Sequence, residues 1–201
     1  MATDSDAVDS LDMQSLQAGE ELALNRLMAR HREKVFHYLI RLLQDEAEAL
    51  DLAQETFVRI FLNRDKFNLK HRFTSWLYAI ATNLARDRMR WLSRRHNISI
   101  DAPASPGSEL TLADSLPDNK SLPGEQLQQN ERIQELKNAL ADIPEELRTP
   151  LILVEYENLS QAEIAEILRC SPKSVENRLY RARRLLREKL KHLMHDVSAE
   201  Y

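Results

Sequence analysis

The chain has 201 residues, a formal net charge of −4 and one cysteine, Cys170. A lone cysteine excludes an internal disulfide framework and a cysteine-rich zinc site, and it fits a reducing compartment. No stretch approaches the ~20 consecutive apolar residues of a membrane span, and three glycines in a sequence dominated by Leu, Ala, Glu and Arg point to an all-α fold.

The chain opens on Asp4, Asp6, Asp9 and Asp12. Met1 to Asp12 reads as an acidic, disordered tail, and residues 1–21 are set apart on that basis. Its charge disfavours nucleic acid, and without a basic start before an apolar core it does not read as a signal peptide. Leu22 to Leu43 is predicted helical, with Leu22, Leu27, Val35, Leu39, Leu42 and Leu43 as the apolar set. His31 and His37 fall on different faces, so they read as core or surface histidines rather than metal ligands.

Glu46 to Leu62 is a second helix, with Leu50, Ala53, Phe57, Ile60 and Phe61 as its core stripe. Asp51, Gln54, Glu55 and Val58 lie mostly elsewhere. That strip suits docking on a basic protein partner, and it suits plain solvation equally well. Two carboxylates could do acid–base chemistry only beside a histidine or a nucleophile, and none is near. No catalytic residue, metal or cofactor is therefore assigned, and the chain is not expected to be an enzyme.

Asn63 to His71 reads as a polar, basic loop around Phe67, which is either a core plug or a stacking face for an unstacked base. Phe73 to Ser93 is a third long helix. Trp76, Leu77, Ile80, Ala81, Leu84 and Met89 supply its apolar positions, and Asn83, Arg86, Arg90, Arg94 and Arg95 form a polar-basic stripe. Aromatics beside cations, Trp76 and Arg90 among them, fit single-stranded nucleic acid; a compact core accounts for Trp76 as well. Pro103, Pro106, Pro117 and Pro123, with Gly107 and Gly124, then break the pattern. Residues 96–130 read as a flexible linker between helical domains at 22–95 and 131–192, with 193–201 as a tail. Gln128–Leu140 and Pro144–Glu157 are further helices. The second carries Leu147, Leu151 and Val154, and also Pro150, which either bends it or sits in its first turns.

The strongest signal lies between Leu159 and Leu190. Ser160 with Glu163 three residues on is a capping box, and Ile164, Ala165, Ile167 and Leu168 form one apolar face. Ser171 caps again, with Pro172 at the first helical position. The next helix buries Val175, Leu179, Ala182 and Leu186 and turns Lys173, Asn177, Tyr180, Arg181 and Arg184 outward. Ser171 to His192 holds eight Lys/Arg against two Asp/Glu. Two short helices, a tight turn and a basic outer face on the second read as a DNA-binding helix-turn-helix. Cys170, in the turn, reads as a small buried residue rather than a thiol sensor.

These elements resemble a bacterial RNA polymerase sigma factor of the extracytoplasmic-function type, in the sigma-70 family. The matching stretches are Asp51–Phe61 (DLAQETFVRIF), Phe73–Asn83 (FTSWLYAIATN), Ile143–Arg148 (IPEELR) and Leu159–Leu186. The resemblance implies a chain that binds core polymerase and directs promoter-specific initiation. Asp51, Gln54, Glu55 and Val58 would seat the first domain on the polymerase clamp. Phe67, Asn83 and Arg86, with the neighbouring Trp76 and Arg90, would hold the melted −10 element, Phe67 lying in the loop that receives an extruded base. The second domain would meet the flap and the −35 duplex. There Glu176, Asn177, Tyr180 and Arg181 would face the major groove, and Lys173, Ser174, Arg183 and Arg184 would lie along the backbone. Glu176, acidic at a base-reading position, would either accept from cytosine N4 or buttress Arg181. The linker would thread towards the RNA exit path. Promoter DNA, polymerase and an anti-sigma factor are the expected partners, in the cytoplasm and on the nucleoid. The competing reading is a duplex-binding regulator acting alone as a dimer over a two-fold repeat.

Overall fold

The computed structural model describes residues 4–98 and 123–191, and all regular structure among them is helical. Eight α-helices fall into two groups. The first holds α1 (Asp4–Gln17), α2 (Leu22–Leu43), α3 (Glu46–Leu62) and α4 (Phe73–Ile98). The second holds α5 (Pro123–Ala141), α6 (Glu145–Glu155), α7 (Gln161–Leu168) and α8 (Pro172–Lys189). Residues 99–122, where most of the linker is expected, lie outside the described residues, as does the tail at 193–201. Helices α4 and α5 take up both ends of the expected linker, and α4 runs past Ser93.

The local causes are ordinary ones. Asp45 is extended and its carboxylate accepts from the Glu48 N–H at 3.0 Å, starting α3. Gln44 at φ 58° closes α2 in the left-handed region. Helix α6 runs through Pro150, which is buried. α2 and α3 pack along their length around Val35, Leu39, Leu42, Phe57 and Ile60, and α4 closes this core with Phe73, Leu77 and Ala81. Within it the Tyr38 hydroxyl lies 2.7 Å from Thr82 Oγ1, and Thr82 donates to the Tyr78 carbonyl.

The acidic N-terminus is not a tail. It forms α1, with Met13 and Leu16 fully buried. Asp9 and Asp12 face side chains of α2. Asp9 is fully buried and meets Arg30 at 2.9 Å and His31 at 2.8 Å, while Asp12 meets Arg26 at 2.6 Å. Burial pushes the Asp12 carboxyl up, but hydrogen bonds from Arg26 and Arg30 outweigh it and hold it below the usual carboxylate value. Charge that looked solvated is structural, because its counter-charges come from α2.

Two further readings are corrected. Leu22 is 66% exposed and Leu50 is 50% exposed, so neither is core. The α3 stripe is Ala49, Leu52, Ala53, Phe57 and Ile60, rotated away from Leu50. Buried residues of both helix groups join one continuous cluster, with α7 against α4 and α6 against α2.

Candidate nucleic-acid interface

Helix α8 is set by its cap and its buried stripe. The Ser171 Oγ accepts from the Ser174 N–H at 3.2 Å, Pro172 opens the helix, and Val175, Leu179 and Ala182 are buried. α7 begins at a complete capping box: the Ser160 N–H donates to Glu163 Oε2 at 2.8 Å, and the Glu163 N–H returns to Ser160 Oγ at 3.3 Å. Arg169, at φ 51°, ends α7 and turns the chain into α8.

The opposite side of α8 is open. Tyr180 is 68% exposed, and Lys173, Glu176, Asn177, Arg181 and Arg184 are exposed beside it. Lys173 Nζ lies 2.9 Å from Glu176 Oε2, so Glu176 pairs with Lys173 rather than with Arg181. Arg184 approaches Glu188 at 3.7 Å. Arg183 turns back to Glu155 of α6 at 2.8 Å, and Ser174 is half-buried at the cap. Among the described residues, Asn177, Tyr180 and Arg181 have no hydrogen-bond or ionic partner. They are the groups at liberty to meet base edges.

On α4, Asn83 and Arg90 are exposed. Arg86 is half-buried, and its Nε donates to Glu145 Oε1 of α6 at 2.9 Å. Arg86, Arg90, Arg94 and Glu145 border an open depression of about 710 Å3. Phe67 does not offer a face there. It is 6% exposed, its ring centre lying 5.0 Å from Trp76 and 6.3 Å from Phe73. Of the two sequence readings of Phe67, the core plug is the right one, and Trp76 lies half-buried against it. The exposed part of the loop is instead Asp65, Lys66 and Asn68 to His71. The sequence marks these only as members of the polar, basic loop Asn63–His71.

On α3, Asp51, Gln54 and Val58 are exposed and Glu55 is half-exposed, its carboxylate 2.6 Å from Arg59. Val58 and Gln54 edge an apolar groove of about 800 Å3 between α2 and α3, together with Leu24, Met28, Phe36, Leu50 and Leu62. Exposed Leu50 and Leu62 thus lie beside the acidic strip.

The two helix groups also grip each other through charge. Arg72, just ahead of α4, pairs with Glu163 of α7 and with Asp6 of α1. Burial pushes the Glu163 carboxyl up, but hydrogen bonds from Ser160 and the nearby Arg72 outweigh it and keep it low. Tyr78 of α4 donates to Glu157, and Arg41 lies over the Tyr156 ring at 4.1 Å. Burial lifts the Glu157 carboxyl above its usual value, and the Tyr78 hydrogen bond and the charges of Arg41, Lys34 and His37 only partly oppose this. Among the described residues, no group of His, Cys, Asp and Glu could hold a metal ion, and no helix is long and apolar enough to cross a membrane.

Two family descriptions match the chain: Sigma-70 region 2 over residues 27–95, and Sigma-70, region 4 over residues 133–186. The ECF RNA polymerase sigma factor SigW of Bacillus subtilis is 30% identical over 181 residues, covering 90% of this chain and 96% of its own. The ECF RNA polymerase sigma-E factor of Haemophilus influenzae is 32% identical over 191 residues, covering 92% and 97%. Among solved structures, the sigma factor RpoE of Bartonella quintana, in complex with the anti-sigma factor NepR, shares the fold. Its TM-score is 0.67 at 23% identity, over 83% of this chain and 96% of that one. CnrH in complex with the cytosolic domain of CnrY gives 0.66 at 23% identity, over 92% and 98%. With both regions present in order and relatives matched along nearly their whole length, the chain belongs to the extracytoplasmic-function RNA polymerase sigma factors.

Proposed function

We propose that this sigma factor divides promoter recognition between three surfaces. The outer face of α8 reads the −35 duplex, with Asn177, Tyr180 and Arg181 at base edges and Lys173, Arg184 and the cap at Ser171–Ser174 on the backbone. Arg183 joins the phosphates by leaving Glu155. The stripe Asn83, Arg86 and Arg90, with the loop ahead of α4, holds the separated −10 strand. Trp76 and Phe67 support that loop from inside. Asp51, Gln54, Glu55 and Val58 seat the chain on the polymerase clamp, the apolar groove beside them adding buried area.

The observation that carries this reading is the one-sided face of α8, where Asn177, Tyr180 and Arg181 stand exposed without partners of their own. A solvated helix face seldom runs so one-sidedly basic. The groove and strip on α3 favour a polymerase-dependent factor over a regulator acting alone. Recognition, carried out in the cytoplasm, is the task we assign to it. The two solved relatives are each bound to an anti-sigma factor or its partner's cytosolic domain, and we extend such control to this chain.

Run-off transcription with purified core polymerase on a promoter library tests the assignment. Initiation at sites sharing one −35 and one −10 element is expected. A chain that binds duplex DNA tightly without polymerase, as a dimer, and starts no transcript would overturn it.

A further inference from the structure

Gln17, the last residue of α1, has its side chain in the loop that follows α3. Its Nε2 donates to the Arg64 carbonyl at 2.8 Å and to the Phe67 carbonyl at 2.8 Å. Both N–H bonds of one amide are thus spent on the short 3₁₀ turn Arg64–Lys66 and the residue after it. The same helix reaches the other end of the loop: Asp6, nearly buried, holds Arg72 at 2.7 Å. Inside, the Phe67 ring is pinned by Trp76 and Phe73. Between these fixed points the tip has its own order. Asn68 Oδ1 accepts from the Lys70 N–H at 3.0 Å, and the Asn68 carbonyl accepts from the His71 N–H at 2.9 Å. Asn68, Leu69, Lys70 and His71 therefore project from a turn whose base is tied to α1 at both ends.

We propose that Gln17 is a positioning residue for −10 recognition: by clamping the carbonyls of Arg64 and Phe67, α1 fixes the pose in which the Asn68–His71 tip meets an unstacked base. This rests on the reading above that the loop contacts the −10 strand. Backbone carbonyls at a loop base are otherwise free to hydrate and swing. A swinging tip still supplies positive charge, but it no longer separates one base from another, because discrimination needs donors held to a fraction of an ångström. Gln17 itself touches no DNA in this scheme.

The test uses the full chain reconstituted with core polymerase, and scores run-off transcription on a parent promoter and on single-base −10 variants. Gln17→Met keeps the side-chain volume and removes both donors. Its spread of rates between parent and variant −10 elements is expected to narrow about tenfold, the order set by two lost hydrogen bonds. Co-elution with polymerase and −35 duplex affinity should stay at parental levels. Gln17→Lys retains N–H donors on a chain of similar reach and should recover discrimination to within about twofold of the parent. Asn68→Ala and Lys70→Ala alter the tip directly. If they leave −10 preference unchanged, the loop does not read the element, and the proposal falls with that reading. If they change preference while Gln17→Met does not, the loop reading stands and the role of Gln17 is rejected. Equal losses on every −10 variant, tracking a lowered thermal midpoint, would also reject it in favour of plain structural support.

Discussion

Asp9→Ala should be among the most damaging single changes outside the apolar core. Asp9 is fully buried and both carboxylate oxygens are engaged, one by Arg30 at 2.9 Å and one by His31 at 2.8 Å. Removing it strands His31, which is itself buried and lies against Phe73 at 5.3 Å. An orphaned buried polar group costs about 1–3 kcal/mol. Arg30 is partly solvent-exposed and keeps Asp12, so its share is smaller than the ~3–5 kcal/mol of a fully broken buried pair. A loss of about 3 kcal/mol is expected, which for a chain near this length lowers the midpoint by roughly 6–12 °C. Thermal unfolding followed by circular dichroism measures it, with Arg30→Ala and the double variant closing a cycle to isolate the pair. A midpoint within about 1–2 °C of the parent is the signature of a solvated surface position, and it would refute the argument that α1 is part of the fold.

Arg181→Ala should weaken −35 duplex binding by about 1–3 kcal/mol, measured by titrating labelled duplex with holoenzyme. The thermal midpoint should not move, because Arg181 is exposed and unpartnered; unchanged affinity would remove Arg181 from the reading face. Asp51→Lys with Glu55→Lys should abolish co-purification with core polymerase while the helical spectrum persists, since the one ion pair lost among the described residues, Glu55–Arg59, is at the surface. Retained association would move the docking surface elsewhere. The pH dependence has two limbs of opposite sign. Glu157 is raised above 4.5, so the folded state favours its proton, and its contribution falls as pH rises from 4.5 through the raised value. Asp12 and Glu163 are lowered from 3.8 and 4.5, so their contributions are present above those values and vanish as pH falls through the depressed ones. Midpoints measured across pH should therefore peak in mild acid. Glu157→Gln should flatten only the limb above pH 4.5, and an unaltered slope there would show that Glu157 does not cause it.

Much of this molecule is legible locally. Leu22–Leu43 and Glu46–Leu62 announce themselves through helical periodicity, and Ser160, Glu163, Ser171 and Pro172 mark their helix starts within four residues of sequence. What escapes is set by partners distant in the chain. Asp6, Asp9 and Asp12 look solvated until Arg26, Arg30, His31 and Arg72 are found opposite. Leu50 sits one position from Ala49, and a rotation of one helical step exchanges a core residue for a groove rim. Phe67 sits among Arg64, Lys66 and Lys70, a composition equally suited to a stacking platform or a plug. Only the rings of Trp76 and Phe73 decide between them.

The contact between the two helix groups bears on how the surfaces work together. Its polar members, Arg72–Glu163, Arg86–Glu145, Tyr78–Glu157 and Arg41 over Tyr156, join side chains that are mostly half-exposed. Polar pairs of this kind exchange their partners for water or for another charged surface at modest cost, unlike the apolar contacts that join both groups in one core. Arg86 matters most in this respect. It belongs to the stripe proposed to hold the −10 strand, and it is closed on a glutamate from the domain proposed to hold the −35 duplex. Phosphate and Glu145 compete for the same guanidinium, and both present oxygens suited to its fork. On that proposal a strand entering the stripe competes with Glu145 for Arg86, so engaging the −10 element and loosening one domain from the other draw on a single residue.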